Sequence, residues 1–182
     1  ARPSIADPFL PRKIEEGRLE DIRECIGCNI CASSHFAMVS LRCTQNPTMG
    51  EEWRRGWHPE RIAPAHDDSH VLVVGAGPTG LEAARALGQR GYTVTLADAR
   101  RQAGGRVTRE AGGLPGLNEW LRVRDWRLGQ IAKLNQVTLH LESELEADHV
   151  LEFGARHVVV ATGARWRRDG LGRLHEHPLD WG

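Results

Sequence analysis

The sequence has almost no lysine and no long hydrophobic run. Of its 24 basic residues only Lys13 and Lys133 are lysine, and 24 acidic residues bring the formal net charge to zero. A neutral chain has no overall attraction to nucleic acid or to an anionic membrane, so we expect neither as a partner. Apolar runs such as residues 71–74 are far too short to span a bilayer. No charged-then-apolar leader is seen, so we expect a cytoplasmic location.

The chain does not begin with methionine, and it stops at Gly182 without an obvious domain end. We therefore expect it to be a piece of a longer polypeptide. Its 182 residues, 40% hydrophobic and 26% charged, have the composition of a globular protein rather than of a disordered one. That length is enough for one sizeable domain with a small module attached.

Cysteine is absent outside one short segment. Cys25, Cys28, Cys31 and Cys43 form a C-x2-C-x2-C-x11-C pattern within 19 residues. Three thiolates at successive three-residue steps on one loop can each meet a different iron of a cubane, and a remote thiolate then serves the fourth iron. The pattern predicts a [4Fe-4S] cluster held by these cysteines. Gly27 would let backbone N–H groups approach the cluster sulfurs without a Cβ clash.

Two other chemistries remain open for these cysteines. Structural zinc also takes four thiolates, but usually from two separated C-x2-C pairs rather than from three on one loop. Disulfides need an oxidising compartment, and two bridges in one short loop would contribute little to the 139 residues that follow. The spacing favours the iron–sulfur cluster over zinc, and either of them over disulfides.

A glycine-rich loop lies between a predicted buried strand and a predicted helix. The apolar residues 71–74 precede Gly75-Ala76-Gly77-Pro78-Thr79-Gly80, and a helical pattern follows. A second predicted strand, residues 93–97, ends in Asp98, which is 23 positions after Gly75. This is the complete context of a mononucleotide-binding βαβ unit, and it predicts a site for a nucleotide diphosphate.

Each loop residue has a physical role in such a unit. Gly75 permits the tight turn, Gly77 lets the backbone approach a pyrophosphate, and Gly80 allows the helix to pack closely on the strand. Pro78 suits the first helical turn, where a missing N–H costs no intrahelical bond. Asp98 would bind ribose hydroxyls and repel a 2′-phosphate, so NADP is disfavoured. A structural glycine turn without a ligand remains the alternative.

Two later segments favour a flavoprotein-type loop over a dehydrogenase-type one. Gly104-Gly105-Arg106 begins six residues after Asp98, and a second glycine pair there can let another loop approach the same diphosphate. A predicted strand, residues 158–161, ends in Thr162-Gly163. In two-dinucleotide flavoproteins a similar strand closes over the nucleotide.

The remaining patterns complete an α/β order of elements. A helical stripe covers residues 117–134, an alternating strand covers 137–141, and a short helix is predicted over 147–153. Strands that alternate with helices predict a Rossmann-like parallel sheet with right-handed crossovers. We expect further strands to lie beyond residue 182, which would leave an exposed edge or an uncovered face.

Taken together, these motifs resemble the iron–sulfur flavoproteins of the trimethylamine, dimethylamine and histamine dehydrogenase family, whose relative is 2,4-dienoyl-CoA reductase. The resemblance rests on four segments: residues 1–8, 25–31, 43–46 and 51–59. Members combine an FMN-binding TIM barrel, a [4Fe-4S] loop and a pair of dinucleotide-fold domains. The resemblance implies three regions: the C-terminal remnant of the barrel (1–24), an irregular cluster loop and linker (25–69), and the first part of an incomplete nucleotide-binding domain (70–182).

The resemblance implies an oxidoreductase that acts on amines. A small amine would be oxidised at FMN in the absent barrel, and electrons would pass through the cluster to an electron-transferring flavoprotein. ADP is implied at Gly75–Gly80, because two residues separate Cys28 and Cys31, as in the amine dehydrogenase branch. Arg2 is the implied contact to the FMN phosphate, and no catalytic residue is expected in this chain. We expect a homodimer of the full-length protein.

Two other functions remain open. The first is a 2,4-dienoyl-CoA or enoate reductase, in which the loop would hold FAD and electrons would come from a nicotinamide cofactor. The second is a zinc-binding adaptor whose Rossmann half is structural. The bound nucleotide separates the first from the amine dehydrogenase, and iron with acid-labile sulfide excludes the second.

Overall fold

A four-stranded parallel sheet organises the second part of the chain. The computed structural model describes residues 1–165, 167–172 and 176–177. The strands pair in parallel in the order β3-β2-β1-β4, with the bounds β1 (His70–Val74), β2 (Thr93–Ala97), β3 (Val137–His140) and β4 (His157–Val160). The predicted parallel α/β sheet is confirmed.

Helices precede the sheet and connect its strands. Their bounds are α1 (Arg2–Ala6), α2 (Leu10–Glu15), α3 (Ile30–Phe36), α4 (Glu52–Arg55), α5 (Pro78–Arg90), α6 (Gly105–Gly113), α7 (Arg122–Ile131) and α8 (Ala147–Glu152), with 3-10 turns at Leu19–Asp21 and Asn118–Leu121. Helix α5 ends at Arg90, and the next residue, Gly91, has the left-handed conformation (φ 103°) that caps a helix. None of the described helices combines the length and the apolar character needed to cross a membrane.

The core lies between one face of the sheet and helices α5 and α7. Val71 and Val73 of β1 lie on this face with Leu96 of β2, and they pack against Leu81 of α5 and Ile131 of α7. All five side chains are at most 5% exposed. Burying a side chain of this size stabilises a fold by about 1.5–3 kcal/mol, so these contacts hold the two helices against the sheet.

The other side of the sheet is only partly covered near β4, which is an edge strand of the described sheet. Val158 is 39% exposed and Val160 is 73% exposed, although both belong to a strongly apolar strand. Leu151 of α8 is 77% exposed as well. One face of the sheet is therefore partly uncovered at β4 in the described part of the chain, and the further strands beyond residue 182 stay a prediction.

Two helical predictions need correction. The stripe over residues 117–134 is not one helix, because the 3-10 turn of Asn118–Leu121 precedes α7. Just before this turn, Gly116 has a φ of 84°, a left-handed conformation that changes the direction of the backbone. Helix α6 was missed, because it begins with one glycine pair and ends with another, and glycine has a poor helix propensity.

A buried ion pair holds the first 24 residues together. Lys13 Nζ lies 2.8 Å from Asp7 Oδ2, and both side chains are at most 4% exposed. Asp7 Oδ2 also accepts the backbone N–H of Arg23 at 2.8 Å, and Lys13 donates to the carbonyl of Asp21 at 3.1 Å. Whether this segment is a barrel remnant stays a prediction.

Asp21 anchors this segment to α7. Its carboxylate accepts hydrogen bonds from Lys133 at 2.6 Å and Gln130 at 2.8 Å, and its carbonyl accepts the indole N–H of Trp126 at 3.1 Å. Burial raises the pKa of Asp21, but hydrogen bonds led by that of Lys133 outweigh burial and lower the pKa to about 2.

We expect Asp21→Asn to loosen this anchor. The amide oxygen of asparagine still accepts these hydrogen bonds but without the charge, so we expect a net loss of about 1 kcal/mol, which would speed hydrogen exchange of residues 18–24 roughly fivefold at pH 7. A lowered carboxyl pKa stabilises the folded state above the unfolded value of 3.8, and this stability is lost as pH falls through about 2. The difference between variant and wild type should therefore shrink between pH 3.8 and pH 2. An equal difference at pH 2 and pH 7 would contradict this explanation.

Candidate functional site

A cleft of about 840 Å³ opens at the carboxyl ends of β1, β2 and β4. This is where open parallel sheets bind ligands. Eight of the residues predicted to bind a nucleotide line it: Gly75, Gly77, Pro78, Asp98, Gly105, Arg106, Thr162 and Gly163. The structure therefore brings together three segments that are far apart in the sequence.

Glycines allow three backbone segments to meet beside the cleft. A Cβ on Gly75 (φ 102°) would lie 2.4 Å from the carbonyl oxygen of Ala161, and a Cβ on Gly80 would lie 1.8 Å from that of Gly75. Neither is possible without moving the backbone. Gly80 does not line the cleft, so its predicted role in helix packing describes it better than ligand contact.

The second glycine pair packs on the first loop. The N–H of Gly104 donates to the carbonyl of Ala76 at 2.7 Å, and a Cβ on Gly105 would lie 3.1 Å from Gly77 Cα. Gly104 itself supports the cleft from outside its lining. The expected approach of a second loop to the diphosphate loop is thus present in the structure.

Asp98 joins the end of β2 to the glycine loop. One carboxylate oxygen accepts the N–H of Ala76 at 2.7 Å, and the other accepts the N–H of Arg100 at 2.8 Å. Each oxygen keeps a further lone pair that a ribose hydroxyl can use. Asp98 therefore shapes the loop as well as facing the cleft.

The cleft carries more positive than negative side chains. Four arginines line it, against the two carboxylates of Asp98 and Glu144: Arg100, Arg106, Arg109 and Arg165. Arg106 is also paired with Glu110 on the same helix at 2.7 Å. The N-terminus of α5, which begins at Pro78, adds partial positive charge. The charge of the cleft suits an anionic ligand. Arg109 was not predicted to lie here, although its position three residues after Arg106 places both on one face of a helix.

The cysteine thiols are free and half-buried. Cys25 Sγ accepts the N–H of Gly27 at 3.4 Å, and Cys43 Sγ accepts the N–H of Gln45 at 3.4 Å. Cys28 Sγ lies 3.1 Å from the hydroxyl of Thr44, so the first cysteine loop reaches the segment that carries Cys43. Gly27 has a φ of 69°, and a Cβ there would meet nothing within 4 Å. Glycine is favoured at this position by its left-handed backbone conformation and not by a lack of space.

Within the described ranges, no group of three or more His, Cys, Asp or Glu side chains is arranged to hold a single metal ion. A zinc ion would need its ligands to converge on one point, whereas a cubane meets each thiolate at a different iron. The four thiols and the N–H donors on two of them fit the chemistry of an iron–sulfur cluster.

Three buried arginines surround Trp126 between the cysteine segment and α5. The guanidinium carbons of Arg23, Arg85 and Arg127 lie 4.5, 5.4 and 5.8 Å from the centre of the indole. Glu82 binds Arg85 at 2.6 Å and Arg127 at 2.8 Å. We call these three side chains, with Trp126, the arginine stack; the sequence analysis did not anticipate it.

Burial and mutual repulsion perturb the groups of the arginine stack. Burial, followed by the charge of Arg85, lowers the pKa of Arg23 to about 10. Burial raises the pKa of Glu82, but the hydrogen bond and charge of Arg85 outweigh it and hold that pKa below its usual range. Arg23 and Glu82 are therefore both charged near neutral pH.

Arg2 lies apart from the nucleotide cleft. Its guanidinium donates to the side-chain oxygen of Asn29, in the loop between Cys28 and Cys31. Its implied contact with an FMN phosphate stays a prediction.

Comparison with known proteins identifies the fold and the family. The model of the NAD(P)-binding Rossmann-like domain family matches residues 73–123. Dimethylamine dehydrogenase of Hyphomicrobium sp. is 53% identical over 98% of the chain and 25% of its own length. The structure of histamine dehydrogenase from Rhizobium sp. 4-9 superposes with a TM-score of 0.92 at 61% identity, over 98% of the chain and 27% of that protein.

More distant relatives include reductases. Cinnamate reductase of Clostridium sporogenes is 34% identical over 90% of the chain and 24% of its own length. The chain spans about a quarter of each of these relatives. Its similarity to the amine dehydrogenases is much higher and extends from the cysteine loop through the nucleotide cleft, so the chain belongs to the family of dimethylamine and histamine dehydrogenases.

Proposed function

We propose that the chain is the electron-relay and nucleotide-binding part of an amine dehydrogenase. The single observation that carries this proposal is that four free thiols on one segment and an arginine-lined cleft occur together in a chain so similar to dimethylamine dehydrogenase. The amine would be oxidised outside this chain, in an FMN-binding barrel. We also propose an electron-transferring flavoprotein as the acceptor, a homodimer, and a cytoplasmic location.

Cys25, Cys28, Cys31 and Cys43 would hold a [4Fe-4S] cluster. Such a cluster, when bound, supplies one-electron transfer between the flavin and the external acceptor. The N–H groups of Gly27 and Gln45 already donate to the sulfurs of Cys25 and Cys43. These bonds stabilise negative charge on the sulfurs and hold the thiol groups in place.

ADP is the nucleotide we propose for the cleft. The backbone at Gly75, Gly77 and Pro78 would face the diphosphate, and the lining arginines would neutralise it. Asp98 would bind the ribose hydroxyls. The two-residue spacing between Cys28 and Cys31, which resembles that of the amine dehydrogenase branch, favours ADP over FAD.

We expect Asp98→Asn to weaken nucleotide binding. The change removes the charge that orders the N–H groups of Ala76 and Arg100, and it weakens bonds to the ribose. Hydrogen bonds to a charged group are worth about 1.5–3 kcal/mol, so the dissociation constant should rise roughly tenfold to a hundredfold. Calorimetry on nucleotide-depleted protein measures it, with Asp68→Asn, an exposed carboxylate ahead of β1, as the control.

The alternative is a reductase that takes electrons from a nicotinamide cofactor, which the similarity to cinnamate reductase favours. An anaerobic titration of the full-length holoenzyme separates the two functions. We expect dimethylamine or histamine to bleach the flavin and to produce the electron paramagnetic resonance signal of a reduced cluster. Rapid reduction by NADH, with no reduction by any amine, would instead establish the reductase.

A further inference from the structure

A chain of hydrogen bonds joins the arginine stack to one of the cysteines. Arg127 Nη1 donates to Gln45 Oε1 at 3.2 Å, and these two side chains are 4% and 3% exposed. Gln45 Nε2 donates to Thr44 Oγ1 at 3.5 Å. The same hydroxyl lies 3.1 Å from Cys28 Sγ. Three consecutive contacts therefore connect a buried cation on α7 to a sulfur of the cysteine loop.

The donors and acceptors of these groups fix the direction of this series of hydrogen bonds. A guanidinium has only donors, so Gln45 must turn its carbonyl oxygen to Arg127 and its amide N–H groups to Thr44. Thr44 accepts from Gln45 and keeps its own hydrogen for Cys28. A thiolate has no proton to donate, so Thr44 is the donor whenever Cys28 is ionised. All three donors then point from the cation towards the sulfur.

The groups around Arg127 leave this end of the hydrogen-bonded series positively charged. Glu82 is the carboxylate that hydrogen-bonds to the arginine stack, and it serves both Arg85 and Arg127. The nearby Asp7 is paired with Lys13, which also pairs with Glu60, so three carboxylates accompany four basic side chains in this region. Arg23, only 4% exposed, has a buried Nε with no hydrogen-bond partner in the described part of the chain. Buried charges are normally balanced, so the surplus positive charge calls for a negative group beside the stack.

We propose that Arg127, Gln45 and Thr44 form a donor relay that raises the reduction potential of the cluster through Cys28, an inference that rests on the cluster proposed above. Reduction adds one negative charge to the cluster and its thiolates. A donor aimed at a thiolate therefore stabilises the reduced form more than the oxidised form. Consecutive donors polarise one another, so the buried cation strengthens the bond to the sulfur.

The test is the midpoint potential of the cluster in the full-length holoenzyme, measured by a redox titration of its paramagnetic resonance signal. Thr44→Val keeps the shape and removes the donor, so we expect the equilibrium constant for reduction to fall about tenfold, or ~59 mV for one electron. Thr44→Ser should keep the wild-type potential. Thr48→Val is the matched control, because its hydroxyl donates to Asn46 Oδ1 at 2.8 Å and not to a cysteine.

A second substitution tests whether the contacts act in series. Gln45→Met interrupts the relay but leaves the backbone N–H of Gln45 on Cys43, so alone it should lower the potential. In the Thr44→Val background it should add nothing, because the relay is already broken. If Thr44→Val prevents cluster assembly, Gln45→Met and Thr44→Ser carry the test by themselves.

The outcomes separate this proposal from the one it rests on. A wild-type potential in Thr44→Val with a complete cluster would overturn the relay, as would wild-type potentials in Gln45→Met. Additive shifts in the double variant would overturn the serial arrangement. Absence of iron and sulfide from the wild-type holoenzyme would overturn the cluster itself, before any variant is compared.

Discussion

Replacing Cys43 with alanine is expected to abolish electron transfer to an external acceptor while leaving reduction of the flavin by amine largely intact. Cys43 is the remote thiol, 12 positions after Cys31, and it is the proposed ligand that local spacing alone predicts least directly. Removing a group that only supports a metal ligand lowers metal affinity or activity by roughly 10–100-fold. Removing a ligand itself should therefore lower the rate of acceptor reduction by more than about 100-fold. The iron that remains should no longer give the signal of an intact cubane.

Ser33→Ala is the matched control for Cys43→Ala, because Ser33 is exposed on α3 in the same module. Iron content, sulfide content and the rate of acceptor reduction are measured together in the full-length protein. A Cys43→Ala protein with four irons and a normal rate would show that another residue holds the fourth iron.

Replacing Gly80 with alanine is expected to destroy the nucleotide site through packing alone. The new Cβ would lie 1.8 Å from the carbonyl oxygen of Gly75, so either α5 or the glycine loop must move. Overpacking of this kind typically costs about 1–3 kcal/mol, and here the Cβ is fixed to Cα and meets a backbone carbonyl, so no flexible side chain can move aside. We expect a lower unfolding temperature and loss of the bound nucleotide, which is measured after denaturation of the full-length protein.

Gly129→Ala provides the contrasting glycine. Gly129 lies in α7, and a Cβ there would meet nothing within 4 Å. Alanine favours a helix over glycine by about 1 kcal/mol, so this variant should be unchanged or slightly more stable. Equal behaviour of the Gly80 and Gly129 variants would contradict the packing described for the glycine loop.

Local patterns were sufficient to predict the framework of the nucleotide domain. Strands β1 and β2, helix α5 and Asp98 follow from apolar runs, glycine spacing and an acidic residue at a fixed distance. Each of these signals spans a few residues and reports a local backbone requirement. The break before α7 was missed because a stripe of apolar residues does not show that Gly116 turns the chain.

Contacts between distant residues could not be read in the same way. Arg127 and Gln45 are 82 positions apart, and Trp126 reaches Asp21 across 105. In the sequence Arg127 is one of three arginines on α7, with no sign that it is buried. Its role depends on where α7 packs, which only the tertiary structure reveals. The contacts of Arg127 with Gln45 and with Trp126 are therefore visible only in the structure.

Cys25, Cys28, Cys31 and Cys43 are proposed to hold a [4Fe-4S] cluster beside a bound nucleotide. The most direct measurement is analysis of iron, acid-labile sulfide, zinc and nucleotide, with an absorption spectrum, on full-length protein purified without air. We expect about four irons and four sulfides per chain for a cubane, together with FMN and ADP. Zinc without iron in such a preparation would contradict the account, and it would leave only the nucleotide-binding fold in place.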